Sequence, residues 1–75
     1  MHTLELDLRD LPPPEPMQRI LDAVDRRRAA LLLQARTPFW PGPLLVHLEN
    51  RGCDVEVVSE PDGTALLRIS VDAPA

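Results

Sequence analysis

Residues 12–16 contain four prolines, and this run is the strongest restriction that the sequence places on the fold. Proline fixes φ and lacks a backbone N–H, so it disrupts the interior of a helix or a central strand. It is tolerated in the first turn of a helix, where N–H groups have no intrahelical partner. The apolar residues that follow are spaced three and four apart, at Met17, Ile20, Leu21 and Val24. This spacing predicts a helix with one buried side over about residues 14–27.

Apolar and charged residues alternate before the proline run. Leu4, Leu6 and Leu8 are separated by charged residues, which predicts a first strand with one buried face. After the helix, residues 29–34 are almost all alanine or leucine, a composition that would also suit an extension of the helix. The arginines at positions 27 and 28 interrupt the buried side of that helix, so we predict a second strand over residues 29–34.

A proline-rich segment separates this strand from a second predicted helix. Three prolines and one glycine in residues 37–43 are typical of a loop. The helix begins at Pro41 or Pro43 and continues to about Arg51, where Gly52 is suited to the left-handed residue that ends a helix. The buried side of this helix is expected to carry Leu44, Leu45 and Leu48.

The last third of the chain predicts an antiparallel hairpin. Apolar and polar residues alternate over residues 53–57 and again over residues 66–71, and Asp62-Gly63 between them is typical of a tight turn. The element order is then β-α-β-α-β-β, with the first two strands parallel through a right-handed crossover. Two helices cannot cover both faces of a four-stranded sheet, so we predict an α/β two-layer sandwich with both helices on one face. The open face is expected to show Glu5, Asp7, Gln34, Arg36, Asp54, Glu56 and Arg68.

The length and the single cysteine indicate one small domain in a reducing compartment. The 75 residues predict a single domain, residues 1–75, with an ordered core at about residues 3–71. No stretch approaches the roughly 18–20 apolar residues of a membrane span, and the acidic N-terminal region does not suit a secretory signal. Cys53 is the single cysteine, so an internal disulfide is excluded. We expect a cytoplasmic monomer that does not bind a membrane.

The charge of the chain argues against nucleic-acid binding. The formal net charge is −4, and all eight basic residues are arginines. Nucleic-acid-binding proteins usually combine a basic surface with aromatic side chains that stack on bases, whereas the aromatic residues here are Phe39 and Trp40 alone. The one basic run, residues 26–28, is interpreted as a solvated helix end, where cations suit the helix dipole. The alternative is a docking patch for an acidic partner.

The segment of residues 6–16 resembles the opening of the small TusA/SirA-like sulfur-carrier proteins. Its sequence is Leu-Asp-Leu-Arg-Asp-Leu-Pro-Pro-Pro-Glu-Pro. Those proteins begin with a strand, a short turn and a Cys-Pro-x-Pro motif at the start of a helix. Pro14-Glu15-Pro16 matches the Pro-x-Pro part, and Pro13 stands where the sulfur-carrying cysteine would be. The sequence is most similar to an uncharacterised bacterial branch of that superfamily, a domain of unknown function with Leu-Pro-Pro-Pro-Glu-Pro here and Pro-Leu-Leu near the second helix, as at residues 43–45. The resemblance covers about residues 4–71 and implies the strand order 1-2-4-3.

The proline at position 13 changes what this motif is able to do. Proline cannot carry sulfur, and Pro14 and Pro16 offer no N–H to an anion, while Glu15 adds a negative charge. The motif is therefore either only a structural helix start or a binding surface that remains without the reactive cysteine. If the two loops that follow the parallel strands lie on the same side of the sheet, Pro13, Pro14, Glu15, Pro16, Phe39 and Trp40 would form a partner-binding patch. The alternative for Trp40 is that it completes a small core.

We therefore expect a small, non-catalytic binding or accessory module that docks a protein partner in sulfur, nitrogen-oxide or redox metabolism. No catalytic residues and no cofactor are predicted, although an enzymatic role is not excluded. One alternative is a sulfur-transfer protein that uses Cys53, which otherwise is interpreted as a partly packed, inert thiol. Another is a metal or haem module that uses His2 or His47, although these residues and Cys53 do not have the spacing of a zinc motif.

Overall fold

The computed structural model describes residues 2–74. Its elements in chain order are β1 (His2–Asp7), α1 (Glu15–Asp25), β2 (Leu31–Thr37), α2 (Gly42–Asn50), β3 (Asp54–Ser59) and β4 (Ala65–Val71). The four strands form one sheet in the order β1-β2-β4-β3. β1 is parallel to β2, whereas β4 is antiparallel to both β2 and β3. The predicted α/β architecture and strand order 1-2-4-3 are confirmed.

The core lies between the sheet and the two helices. Alternate residues of β2 and β4 are buried, and they pair across the strands, as Leu33 does with Ile69. Ile20 from α1 and Leu48 from α2 are fully buried against them. Because both helices contribute to this one cluster, they cover the same face of the sheet, as predicted. Each such side chain contributes roughly 1.5–3 kcal/mol through removal of apolar surface from water.

Helix α1 is shorter at its C-terminus than the predicted residues 14–27. It ends at Asp25, and the N–H of Arg26 donates to the carbonyl of Asp22 as the cap. Arg26 also forms an ion pair with Asp22, one turn earlier on the helix, at 2.9 Å. Arg27 instead donates to two carbonyl oxygens, those of Val24 at 2.7 Å and Asp72 at 2.6 Å. Part of the basic run therefore ties the end of α1 to the C-terminal segment and is not simply solvated.

Strand β2 lies further along the chain than the predicted residues 29–34. It begins at Leu31 and ends at Thr37, whereas the sequence predicts a loop at Thr37. The buried alternation continues through Ala35 to Thr37, which is 2% exposed and pairs with Ala65 of β4. The prediction ended too early because polar residues at positions 34 and 36 interrupted the apolar run. They lie on the opposite face of the sheet.

The other boundaries differ by at most two residues from the predictions. β1 begins at His2, and Leu8 lies just beyond it, buried in the core. β3 begins at Asp54, one residue after Cys53, and continues to Ser59. Gly52 has φ +74°, which confirms the predicted left-handed end of α2.

The open face of the sheet is less polar than predicted. One row across the four strands is polar, because Glu5 pairs with Gln34, Gln34 with Arg68, and Arg68 with Glu56. The neighbouring rows place apolar side chains on the same face, including Val58, which is 54% exposed. This face is therefore a mixture of charged and apolar groups: Leu32, Val58 and Leu66 join the predicted set.

An ion pair joins the ends of the two helices. The guanidinium of Arg51 donates to both carboxylate oxygens of Asp25, at 2.7 and 3.1 Å, and to the carbonyl of His47 at 3.1 Å. The hydrogen bonds from Arg51 lower the pKa of Asp25. None of the helices within residues 2–74 has the length and apolar character needed to cross a membrane.

Candidate functional site

The loops after β1 and β2 leave the sheet at the same edge. The two strands are parallel neighbours, with Asp7 opposite Arg36, and the N–H of Leu8 donates to the carbonyl of Arg36 at 2.8 Å. The first loop leads to the proline motif and α1, and the second leads to the aromatic pair and α2. This arrangement brings the proline motif beside Phe39, as the parallel strands predicted.

An apolar cavity of about 180 Å³ lies where these two segments meet. Its walls come from the proline motif with the first turn of α1, and from the loop after β2 with the first turn of α2. We call this cavity the proline pocket, because six of the nine prolines in the chain line it. The lining residues are Pro13, Pro14, Pro16, Met17, Thr37, Pro38, Phe39, Pro41, Pro43 and Leu44.

The proline pocket offers very little hydrogen bonding. Its prolines have no N–H to donate. Thr37 is the one lining residue with a polar side chain, and its hydroxyl already donates to the carbonyl of Phe39 at 2.9 Å. The remaining lining side chains are those of Met17, Phe39 and Leu44. An occupant of the pocket would therefore be held by apolar contact.

Both helices begin at the proline pocket without a side-chain cap. Pro14 and Pro41 occupy the N-cap positions, and neither helix has a side-chain hydrogen bond there. Pro16 and Pro43 lie in the first turns, where the missing N–H costs little because it has no intrahelical partner. The fixed φ angles of these residues make the wall of the pocket stiff, so that little conformational entropy would be lost if an occupant bound there.

Glu15 is the one charged residue in the segments 13–17 and 37–44 that form the pocket. It lies in the sequence between the lining residues Pro14 and Pro16 and is half-buried, but it does not itself line the cavity. Among residues 2–74 it forms no ion pair. The segments that form the apolar cavity therefore carry a single carboxylate, and it forms no ion pair within residues 2–74.

Phe39 and Trp40 are both exposed, to 50% and 52%. Phe39 lines the proline pocket, whereas Trp40 does not. The Cδ1 atom of Trp40 lies 4.0 Å from the place that a Cβ on Gly42 would occupy, so the indole lies over the start of α2. Trp40 is not part of the buried core, so the alternative that it completes the core is not the arrangement in the structure.

Cys53 lies outside the proline pocket, in a shallow groove between α2 and β3. Its neighbours there include Leu45, Val55 and Val57, and its N–H donates to the carbonyl of Leu48 at 3.1 Å. Partial burial raises the pKa of the Cys53 thiol, and the nearby arginines oppose this only in part. A raised pKa decreases the fraction of reactive thiolate at neutral pH.

The histidines do not form a metal site with the cysteine. His2 lies on β1 and His47 on the exposed side of α2. Within the described part of the chain, no three or more His, Cys, Asp or Glu side chains are grouped so that they could hold a metal ion.

Several pocket residues were not identified from the sequence. The predicted set omitted Met17, Thr37, Pro38, Pro41, Pro43 and Leu44, all of which line the cavity. One signal for Pro43 and Leu44 was available, because proline in the first turn of α2 repeats the pattern at α1. No local signal marked Thr37, since its role depends on the fold of the loop above it.

Residues 5–71 match a known family, described as "Uncharacterized conserved protein (DUF2249)". The chain belongs to this family. No curated protein matches the chain.

The fold of this DUF2249 protein is also found in a solved structure. The crystal structure of a SirA-like protein from Desulfitobacterium hafniense superimposes with a TM-score of 0.72, over 96% of this chain and 99% of the other. The two sequences are 18% identical, so the likeness establishes a SirA-like fold and nothing about activity.

Proposed function

We propose that this DUF2249 protein is a small, non-catalytic accessory module that docks a partner protein at the proline pocket and the adjoining Phe39 and Trp40. The observation that carries the proposal is a stiff apolar cavity lined by half-exposed Phe39, which is followed in the sequence by half-exposed Trp40. The setting proposed from the family resemblance is sulfur, nitrogen-oxide or redox metabolism in the cytoplasm. We propose that the protein acts as a monomer and does not bind nucleic acid.

The shape and chemistry of this surface suit protein docking. Tryptophan and other aromatic residues are enriched among the residues that contribute most to binding energy at interfaces. A loop with prolines at positions 38, 41 and 43 loses little entropy when it binds, because its backbone is already restricted. Large side chains that stay half-exposed beside an apolar cavity are typical of an interaction site.

The same surface is poorly suited to catalysis. Glu15 is the one titratable side chain in the segments that form the pocket, so a second acid, a base or a nucleophile is missing beside it. Pro13, at the position that the motif resemblance assigns to the sulfur-carrying cysteine, cannot accept sulfur. Cys53 lies in a different groove with a raised pKa, which gives the sulfur-transfer alternative no support from geometry.

Site-directed crosslinking in the native host tests the proposal. A photoreactive phenylalanine analogue is placed at Trp40 and, as the matched control, at Val58, which is 54% exposed on the open face of the sheet. The proposal expects a discrete crosslinked protein from position 40 and not from position 58. The partner is then identified by mass spectrometry and purified.

Binding of the purified partner completes the test. Trp40→Ala should weaken binding by tenfold or more, which corresponds to about 1.4 kcal/mol, whereas Val58→Ala should leave it unchanged. Equal crosslinking from both positions, or binding that Trp40→Ala does not alter, would refute docking at this surface.

A further inference from the structure

The size of the proline pocket restricts what part of a partner can enter it. A volume of about 180 Å³ is close to that of an engineered cavity of about 150 Å³ that binds benzene. It therefore suits one aromatic or branched aliphatic side chain. A folded peptide segment with several side chains would not fit.

The walls of the pocket exclude the main chain of the partner. A peptide group that enters an apolar site without hydrogen bonds loses its contacts with water and gains none in return. Thr37 has already committed its hydroxyl to Phe39, and the prolines supply no N–H. Only the apolar part of a side chain should enter, with the partner backbone held outside.

The one charge in the segments that form the pocket indicates which residues should flank that side chain. Glu15 is half-buried, lies in the sequence between two lining prolines without lining the cavity itself, and forms no ion pair among the described residues. The whole chain has a net charge of −4. A cation brought beside Glu15 would gain attraction, whereas an acidic partner or a second copy of this chain would meet repulsion.

We infer that the partner inserts a single bulky apolar side chain into the proline pocket and places a lysine or arginine beside it, against Glu15. This inference rests on the proposed function and specifies the chemistry of the partner. The apolar side chain supplies the contact area, and the flanking cation selects among partners that carry a similar apolar residue.

Three short peptides test the inference directly. The first is Ac-Gly-Arg-Phe-Arg-Gly-NH₂, the second replaces both arginines by glutamate, and the third replaces phenylalanine by alanine. Each is titrated into uniformly ¹⁵N-labelled protein, and amide shifts are followed by NMR. We expect the first peptide to shift the amides of Met17, Phe39 and Leu44, to bind about tenfold more tightly than the acidic peptide, and to lose binding when its phenylalanine is removed.

A matched pair of variants assigns the charge preference to its source. Glu15→Gln keeps the size of the side chain and should reduce the preference for the basic peptide to about threefold or less. Glu5→Gln removes a carboxylate from the open face of the sheet and should leave the preference intact.

Each other outcome overturns the inference in a recognisable way. Equal binding of the basic and acidic peptides at the pocket would refute the part of the inference that concerns the flanking cation. It would not contradict docking at this surface. No peptide-induced shift, together with a partner crosslinked at Trp40, would show that recognition does not use a single inserted side chain. Concentration-dependent shifts at the pocket without peptide would show that a second copy of this chain occupies it. Failure of the proposed function itself would appear as the absence of a crosslink at Trp40.

Discussion

The hydroxyl of Thr37 donates a hydrogen bond of 2.9 Å to the carbonyl of Phe39, two residues further along the chain. Thr37 is the last residue of β2 and is 2% exposed, whereas Phe39 is 50% exposed. This bond joins the buried sheet to the loop that carries the aromatic pair. Thr37 has the one polar side chain that lines the proline pocket, and because its hydroxyl donates to Phe39, that hydrogen is not free to bind an occupant.

Thr37→Val should loosen this loop while keeping the volume of the side chain. The change removes one hydrogen bond, so we expect the free energy of unfolding to fall by about 1 kcal/mol. Trp40 is the only tryptophan, so the steady-state anisotropy of its fluorescence reports on the loop and should decrease. Urea denaturation and fluorescence anisotropy measure the two effects.

Thr37→Ser is the matched control for the hydrogen bond. Serine keeps the hydroxyl and loses a buried methyl group, which costs about 1 kcal/mol through lost apolar burial. We expect a similar loss of stability with unchanged anisotropy of Trp40. If Thr37→Val had the stability and the Trp40 anisotropy of the wild type, the hydrogen bond from Thr37 to Phe39 would not be what restricts the loop.

We predict that the carboxyl group of Asp7 titrates at unusually low pH because of its hydrogen bonds with Arg9. Arg9 donates to both oxygens of Asp7, at 2.8 and 2.7 Å, and these hydrogen bonds lower the pKa of Asp7 from 3.8 to about 2. Because the folded pKa lies below the unfolded one, the pair contributes stability above about pH 4. That contribution is lost as the pH falls through 2.

Carbon-detected NMR of the Asp7 carboxyl between about pH 1 and 6 measures this pKa. Arg9→Gln should raise it most of the way towards 3.8, because hydrogen bonds from Arg9 are the largest cause of the shift. Arg36→Gln removes only a weaker attraction and should raise it less. A larger effect of Arg36→Gln would contradict the assignment to Arg9.

Cys53 should react slowly with alkylating reagents in the folded protein. Burial raises the pKa of its thiol above the ordinary value for cysteine, and the reactive species is the thiolate. With iodoacetamide at about pH 8, we expect alkylation at least severalfold slower than that of a free cysteine peptide. The same chain in urea serves as the control and should react at the peptide rate.

The intact mass of the protein purified from its native host shows whether the thiol of Cys53 is modified, which the alkylation rate alone does not show. We expect an unmodified thiol. Extra sulfur atoms mapped to Cys53, together with alkylation faster than the peptide, would establish the sulfur-transfer alternative instead.

Two glycines in and after α2 should respond oppositely to alanine. Gly52 has φ +74°, which alanine adopts only with strain, so Gly52→Ala should lower the free energy of unfolding by about 1 kcal/mol. Gly42 begins α2 without a positive φ, and its new Cβ would meet only Trp40 at 4.0 Å. Gly42→Ala should therefore raise stability by about 0.5 kcal/mol. Urea denaturation measures both variants, and changes of the same sign would contradict these backbone assignments.

Much of the fold was predictable from residues that are close together in the sequence. The spacing of apolar residues after Pro16 determined α1, and the Asp62-Gly63 turn determined the hairpin of β3 and β4. The strand order, by contrast, was predicted from the family resemblance and not from spacing. The largest boundary error was at Thr37, because polar residues on the open face of β2 concealed a buried alternation that continued to the end of the strand.

The candidate site was predictable only in outline. The parallel strands predicted that the proline motif and Phe39 would lie at one edge of the sheet, and the chemistry of proline predicted a surface poor in hydrogen-bond donors. The exclusion of Trp40 from the proline pocket and the participation of Met17 were not predictable.

By itself, the sequence determined the helices, the strands, the hairpin and the absence of a reactive group at Pro13. These follow from periodicity and covalent structure, which act over a few residues. Only the tertiary structure decided the volume of the proline pocket, the bond from Thr37 to Phe39, the raised pKa of Cys53 and the Asp25–Arg51 ion pair between helices. Each of these depends on distances between side chains, and such distances are determined by how the whole core packs.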